Sequence, residues 1–415
     1  MEPGVRLVCD RCGNRFSPGE PLGRSGDSCC SDSATTHSCL GHVHLSYDYK
    51  RLQTTLSSLV ADTGDIWSYR PLLPVTGAQP VTLGEGDTDC ITANRLGGEL
   101  DIDLRLKLEG QLPSGSTKDR GSAVLATYAR EQGHDTIACA STGNAAASIA
   151  AYTARAGLDC RLFVPTTTPQ TKAVQPEIYG ATVNRIDGTY ATAFNACAET
   201  VANEGWLDRS AGASPFTAAG AATLGFEISA DCPDADWVVM PMGNGGTLAG
   251  AWKGLFLASK LGFIEEAPRM LGVQTRGATT IHDAFHERYA TSDSVKADPS
   301  NCSGEKTQAD SIDVQEPHRL EEACHALAES DGTSVLASED AITNSIRRLG
   351  RTEGIFAEPA SAAVIAGIHT ARERDLIDPS ETAVGVITGS GLKDAASAQA
   401  ALTQAKQRYT GRRKL

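Results

Sequence analysis

One pattern limits what this 415-residue chain can fold into: short apolar runs alternate with helical stretches over most of its length. "DIDLRLKLE" (101–109) carries apolar residues at every second position and predicts a strand. "DRGSAVLATYAREQG" (119–133) predicts a helix that stops near Gly133. "TIACA" (136–140) predicts a buried strand, "NAAASIAAYTARAG" (144–157) an Ala-rich helix, and "CRLFVP" (160–165) a strand ended by Pro165. Further strands are expected at 181–187, 236–243, 269–275 and 382–391, with helices at 189–205 and 248–262. Strands that alternate with helices pair through crossovers, so the fold class expected is α/β with mainly parallel twisted sheets. Ligand loops in such sheets lie at the strand C-termini. Residues 290–320 break the pattern with polar and charged residues and read as a long loop or insertion.

Four strand-to-helix junctions carry chemistry. In "LPSGSTKDRGSAVLATYA" (112–129), Lys118 follows a Gly/Ser/Pro-rich turn and opens a helix. A cation is poorly placed at the positive end of a helix dipole, so this lysine needs another reason to be there. One reason is Schiff-base formation with a carbonyl. "STGNAAAS" (141–148) gathers Ser141, Thr142, the Gly143 amide and Asn144 at a helix start, which suits a carboxylate or phosphate as well as ordinary capping. "MGNGGTLAG" (242–250) offers the amides of 243–247 and the Thr247 hydroxyl as a phosphate cup. It lacks the lysine of a P-loop and the spacing of a dinucleotide fingerprint, so a monophosphate fits it better. "VITGSGLKD" (386–394) brings Thr388 to a strand end, where a hydroxyl can hydrogen-bond a ring nitrogen. A phosphate cup, a Schiff-base lysine, a carboxylate turn and a hydroxyl for a ring nitrogen together fit pyridoxal phosphate with an amino-acid substrate.

Composition narrows the partners. A chain of 415 residues exceeds one ordinary core, so two or three domains are expected. A formal net charge of −14 argues against nucleic acid and against an anionic membrane, while leaving a small anionic ligand open. No apolar run reaches the ~18–20 residues of a membrane helix. "MEPGVRLVCDRCG" has no apolar core of a secretory leader, so a cytoplasmic enzyme is expected. Of twelve cysteines, the seven from Cys90 onward are scattered and read as small core residues. The "CDRC" pair Cys9 and Cys12 has the spacing of a zinc knuckle. The stretch "CCSDSATTHSCLGH" offers Cys29 or Cys30, Cys39, His37 and His42 as further ligands. Two readings stay open: zinc held by Cys9, Cys12, Cys29 and Cys39, and a ribbon without metal.

The chain resembles the threonine synthases, of the tryptophan-synthase-β-like (fold type II) pyridoxal-phosphate enzymes. The resemblance runs through "LVCDRCG", "IWSYRPLLPV", "TLGEGDT", "SGSTKDRG", "ACASTGNAAASIAAYTARAGL", "VVMPMGNGGTLAGAWKG", "GIFAEPASAAVIAG" and "TGSGLKD". It implies Lys118 as the Schiff-base lysine and proton carrier, and Asn144 as partner of the cofactor's ring hydroxyl. It implies Gly243, Asn244, Gly245, Gly246 and Thr247 around the cofactor phosphate, with Thr388 at the pyridine nitrogen. Ser141, Thr142 and Asn144 would hold the substrate carboxylate, and Lys172 the substrate phosphate. The implied reaction converts O-phospho-L-homoserine and water to L-threonine and phosphate. The implied organisation is a zinc-ribbon-like module at 1–49, a cofactor-binding large domain from 60–124 and 226–400, and a smaller mobile domain at 125–225. A homodimer is implied too.

Two departures from the resemblance stand out. Thr117 occupies a position where relatives carry an aromatic residue. In "SPFTAAGAATLGFE", Thr217, Ala219 and Ala222 stand where the family commonly has charged residues. Those positions bear on substrate phosphate, so an alternative stays open. It is a paralogue doing β-replacement or β-elimination, cysteate synthase-like or an ammonia-lyase acting on serine, threonine or diaminopropionate.

Overall fold

The computed structural model describes residues 4–9, 13–18, 20, 43–56, 64–289, 307–400 and 402–403. The chain divides into two compact units. The first is Met1–Asp87, Leu112–Ser114 and Lys118–Leu224; the second is Thr88–Gln111, Gly115–Thr117 and Gly225–Leu415.

The first unit is built on a four-stranded parallel sheet. Its order is Thr182–Ile186, Asp159–Pro165, Thr136–Ala140, Leu207–Asp208. Thr136–Ala140 is buried at all five positions, as a central parallel strand covered on both faces must be. The helices Lys118–Glu131 and Asn144–Ala156 bury their alanine-rich faces in the same core. An antiparallel ribbon joins them: Val5–Cys9 lies between Arg15–Phe16 and Val43–Tyr47. Its alternate residues Val5, Leu7 and Cys9 point into that core. Cys9 is buried there, while Cys12, Cys29 and Cys39 lie outside the described residues. Among the described residues no group of three His, Cys, Asp or Glu side chains could hold a metal ion.

The second unit carries a six-stranded sheet in the order Thr333–Ala337, Arg269–Thr275, Trp237–Pro241, Thr382–Val386, Asp103–Lys107, Cys90–Thr92. The first five strands are parallel and the last is an antiparallel edge. The helix Pro359–Glu373 packs on this sheet and has eleven buried residues. At Gly367 an added Cβ would meet Val273 at 2.3 Å, so the helix approaches as closely as glycine allows.

Three features go beyond the pattern reading. The strand Thr333–Ala337 and the helices Thr280–Tyr289, Leu320–Glu329, Glu339–Thr352 and Pro359–Glu373 were not predicted. Local signals for two of the helices exist: Ser338 caps one, accepting from the Ala341 amide, and Pro359 stands at the first position of another. The described part of 290–320 begins at 307 and contains a single 3₁₀ turn, Asp310–Ile312, before the helix at Leu320. The division into units also differs from 60–124 with 226–400. Ile66, Leu73, Val75 and Val81 are buried with Ala123–Ala129 in the first unit's core, so residues up to Asp87 and the whole helix from Lys118 group with 136–224. No described helix is long and apolar enough to cross a membrane.

Candidate active site

Lys118 is half-buried at the first position of Lys118–Glu131. The turn before it is closed by the next residue. The fully buried carboxylate of Asp119 accepts from the Ser114 amide at 2.6 Å and from the Ser114 hydroxyl. An anion in the first helical turn complements the dipole and offsets part of the cost of placing a lysine there. Arg209, also buried, reaches this neighbourhood: its Nε donates to Ser122 Oγ at 3.4 Å, while its Nη2 has no hydrogen-bond partner among the described residues. Burial depresses its pKa, against the opposing pull of Cys139, Asp208 and Asp119. Sequence reading missed Arg209; a cation within "LDRSAG", next to a short strand, was the available signal.

The first unit also brings Ser141, Thr142 and Lys172 to one small cleft. Its walls include Leu162, Val164, Thr168 and Val183. The loop leaves the C-terminus of Thr136–Ala140 as the strand order requires. Gly143 is the N-cap of Asn144–Ala156, no side chain caps that helix, and the Gly143 amide donates to Ser141 Oγ at 3.3 Å. A cleft lined by two hydroxyls and a lysine, beside a helix start, is suited to an anion. The helix itself is anchored through Tyr152, whose hydroxyl donates to Glu85 at 2.8 Å; Trp67 Nε1 donates to the same carboxylate at 2.8 Å. Burial pushes the Glu85 carboxyl above its usual range despite these donors.

The stretch around Thr217 is buried helix. Pro215–Asp231 crosses Lys118–Glu131 at a pair of glycines. A Cβ on Gly220 would lie 2.3 Å from the Arg120 carbonyl carbon, and one on Gly121 would lie 2.8 Å from Thr217 Cα. Ala219 and Ala222 are buried here at 0% and 1% exposure, so charged side chains at these positions would need partners inside a backbone-to-backbone crossing.

In the second unit the loop after Trp237–Pro241 turns into Gly246–Lys260. Gly245 is the N-cap with φ 84°, and no side chain caps the helix. A Cβ there would lie 2.7 Å from the Arg319 carbonyl oxygen, and one on Gly243 would lie 2.6 Å from that of Ser311. Only glycine fits both places. Asn244 locks the loop to its neighbour: its Oδ1 accepts from the His318 amide at 3.2 Å and its carbonyl from the Arg319 amide at 3.0 Å. Thr388, also in this unit, is buried at the end of Thr382–Val386 with its Oγ1 3.0 Å from Ser361 Oγ. Ser361 also accepts from the Gly389 amide at 2.8 Å. Ser361 Oγ also lies 3.2 Å from the Gly389 carbonyl, an alternative acceptor; when its one proton goes to Thr388 instead, the Thr388 proton is left for a ligand. Ser361 is a second residue that sequence reading missed, although it lies within "AEPASAAV".

The residues present suit pyridoxal phosphate. The uncapped, glycine-walled helix start offers amides to a phosphate dianion. The Thr388–Ser361 pair offers a neutral hydroxyl to a ring nitrogen. The Ser116 Oγ and Thr117 Oγ1 atoms, immediately before Lys118 in the chain, are buried without a hydrogen-bond partner among the described residues. Thr117 is tied to the end of the same strand as Thr388, its amide donating to the Thr388 carbonyl at 2.9 Å.

Comparison with known proteins bears on these features. A family model described as "Pyridoxal-phosphate dependent enzyme" matches residues 81–389. A threonine synthase of Methanocaldococcus jannaschii is 34% identical over 396 residues, spanning 93% of this chain and 92% of the relative. One from Mycobacterium tuberculosis is 35% identical over 336 residues, spanning 80% and 89%. Among solved structures, processed threonine deaminase isoform 2 from Solanum lycopersicum superposes with a TM-score of 0.63 at 21% identity, covering 90% of this chain and 89% of its own. Maize serine racemase gives 0.63 at 16% identity, covering 84% and 100%. At such identities the structures speak to fold alone, and that fold is shared. The family match over most of the sequence and the curated relatives above 30% identity make this chain a fold type II enzyme of the pyridoxal-phosphate-dependent family to which the threonine synthases belong.

Proposed function

We propose that the chain is a threonine synthase, a lyase converting O-phospho-L-homoserine and water to L-threonine and phosphate. The observation that carries this reading is its 34% identity to an archaeal threonine synthase across 93% of the chain. The cleft with Lys172, Ser141 and Thr142 supports it, because a cation and two hydroxyls suit a substrate with both a carboxylate and a phosphate.

In this reading Lys118 tethers the cofactor and moves protons at substrate carbons. Gly243, Asn244, Gly245, Gly246 and Thr247 bind the cofactor phosphate. Asn144 meets the ring hydroxyl, and Thr388, positioned by Ser361, meets the ring nitrogen. Ser141, Thr142 and Asn144 orient the substrate carboxylate. The cofactor supplies an electron sink for carbanions next to the amino-bearing carbon. Because Thr388 is a neutral partner, it leaves the ring nitrogen without an imposed proton. The protein acts as a homodimer, and the segment expected to close over the substrate, 125–225, belongs up to Leu224 to the first compact unit, together with residues up to Asp87.

One observation favours a second reading. Thr217, Ala219 and Ala222 lie on an apolar helix, with Ala219 and Ala222 fully buried, where a phosphate-binding surface would carry charge. That favours a substrate without phosphate and β-elimination or β-replacement on it. The deciding assay is phosphate release from O-phospho-L-homoserine against keto-acid release from serine or threonine. Phosphate release with threonine as product is expected. Keto acid without phosphate release would overturn the first reading in favour of the second.

A further inference from the structure

The second unit holds a cavity that the reaction does not use. Its volume is about 780 Å³, and six arginines line it: Arg95, Arg276, Arg347, Arg348, Arg351 and Arg374. None of Gly243–Thr247, Ser361 or Thr388 lines it. In a chain of net charge −14, six guanidinium groups around one hollow is a strong local reversal of sign.

The cavity's own acids do not neutralise it. Its two carboxylates are Glu99 and Glu373. Glu99 is taken by Arg348 at 2.7 Å, and Glu373 lies 3.3 Å from the His369 ring, so two carboxylates stand against six guanidinium groups. Arg95, Arg347 and Arg351 have no carboxylate partner among the described residues. Arg95 spends Nη1 on the main-chain carbonyls of Arg351 and Thr352 at 3.1 and 3.4 Å, which orients it without cancelling its charge. Among the described residues Arg347 makes one long contact, Nη1 to Asn344 Oδ1 at 3.5 Å, and its buried Nε has no hydrogen-bond partner. A buried donor without an acceptor is costly, and so are like charges held together. A ligand with several anionic oxygens would remove both costs at once.

The donors indicate which anion. Guanidinium forks match the paired oxygens of phosphates, and three unmatched forks ask for more than one such group. A single phosphate would fill only a small part of the hollow. The volume falls in the range of ~300–1,000 Å³ that small-molecule sites occupy. We propose that this arginine-lined cavity is a binding site for a small organic molecule bearing a diphosphate or triphosphate, separate from the catalytic residues and suited to regulation.

The test is calorimetric titration of the full-length enzyme loaded with pyridoxal phosphate, at low salt, with ATP, pyrophosphate and adenosine as probes. Saturable binding of ATP or pyrophosphate at one molecule per chain is expected, with no binding of adenosine. Pyrophosphate as tight as ATP assigns recognition to the phosphates alone; tighter ATP adds a contact to the organic part; both support the site. Replacing Arg347→Gln with Arg351→Gln should weaken binding by at least about tenfold, the loss expected for two charge-assisted contacts, while the cofactor's absorbance is unchanged. Arg351 is exposed, so Arg351→Gln alone provides a variant with no core to disturb and should weaken binding in the same direction. Absence of saturable binding, binding that ignores both variants, or binding of adenosine alone would overturn the proposal. So would a change in molecular size of the Arg347→Gln/Arg351→Gln variant without any ligand effect, which would assign the face to a protein contact.

Discussion

Two helix starts in this protein look alike in sequence and differ in structure. Both follow a parallel strand, both carry a glycine at the N-cap, and neither is capped by a side chain. At Gly245 the backbone has φ 84° and the carbonyl of Arg319 leaves no room for a Cβ. At Gly143 φ is −120° and nothing lies within 4 Å of an added Cβ. The first is a prebuilt cup whose shape is set by its neighbours. The second is open, with free space beside its backbone. The same residue type thus serves close packing in one unit and free space in the other.

The comparison can be broken at several points. The largest effect is expected at the lysine. Lys118→Ala should lower turnover by about a thousandfold or more, as loss of a covalent catalyst does, and abolish the absorbance band of the tethered cofactor. If the cup is prebuilt, the variant should still bind pyridoxal phosphate non-covalently, as equilibrium dialysis would report; loss of both would mean the cup depends on the tether.

Next comes the sheet behind the cup. Lys107 is buried with Glu227 at 3.0 Å, Asp231 at 2.8 Å and the Thr88 carbonyl at 2.6 Å. Lys107→Met should cost about 3–5 kcal/mol in urea unfolding, because Glu227 would remain buried without its cation. Gly245→Ala should follow, at about 2–4 kcal/mol from positive φ plus overlap, together with weaker cofactor binding. Gly143→Ala is the control for the open loop: stability should stay within about 0.5 kcal/mol, and any change should appear in KM for the amino-acid substrate. Equal losses of stability at the two glycines would erase the distinction drawn between them.

The smallest effect is a pH slope in the second unit. Burial holds His286 below its ordinary value of 6.5, despite the Ser334 carbonyl and Asp283. The unfolded chain therefore takes up this proton first as pH falls. The contribution to stability is present above about pH 6.5 and declines as pH drops through the window between the unfolded and folded values. Thermal melts of His286→Gln should show a shallower loss of stability on acidification than the parent.

The cysteines extend the contrast. In the first unit burial pushes Cys139 and Cys160 up to about 12. In the second, Cys90 and Cys232 lie with their sulfurs 3.3 Å apart. The hydrogen bond from Cys90, helped by Arg105, holds Cys232 down to about 7 while Cys90 is pushed up. Alkylation at neutral pH should therefore label Cys232, the member of the pair held down, before Cys139 and Cys160 of the first unit.

Much of the chemistry was legible along the chain. The strands, the glycine turns after them and Lys118 at a helix start are short-range features. Period-two and period-3.6 patterns and turn residues report them over windows of a few residues. Ser361 was not legible as the partner of Thr388, because 27 residues and a helix separate them. The helix carrying Ala219 and Ala222 reads as apolar, yet its glycine-to-glycine crossing with Lys118–Glu131 appears only once both are folded.

The sequence alone determined the α/β class, the order of loops at strand ends and the place of Lys118 at a helix start, since each follows from local periodicity and backbone chemistry. The tertiary structure decided which residues meet. Parallel strands need long crossovers, so the partners of any one loop come from distant parts of the chain. Arginines at 95, 276, 347, 348, 351 and 374 are unremarkable in order along the sequence, and only the folded second unit gathers them around one hollow.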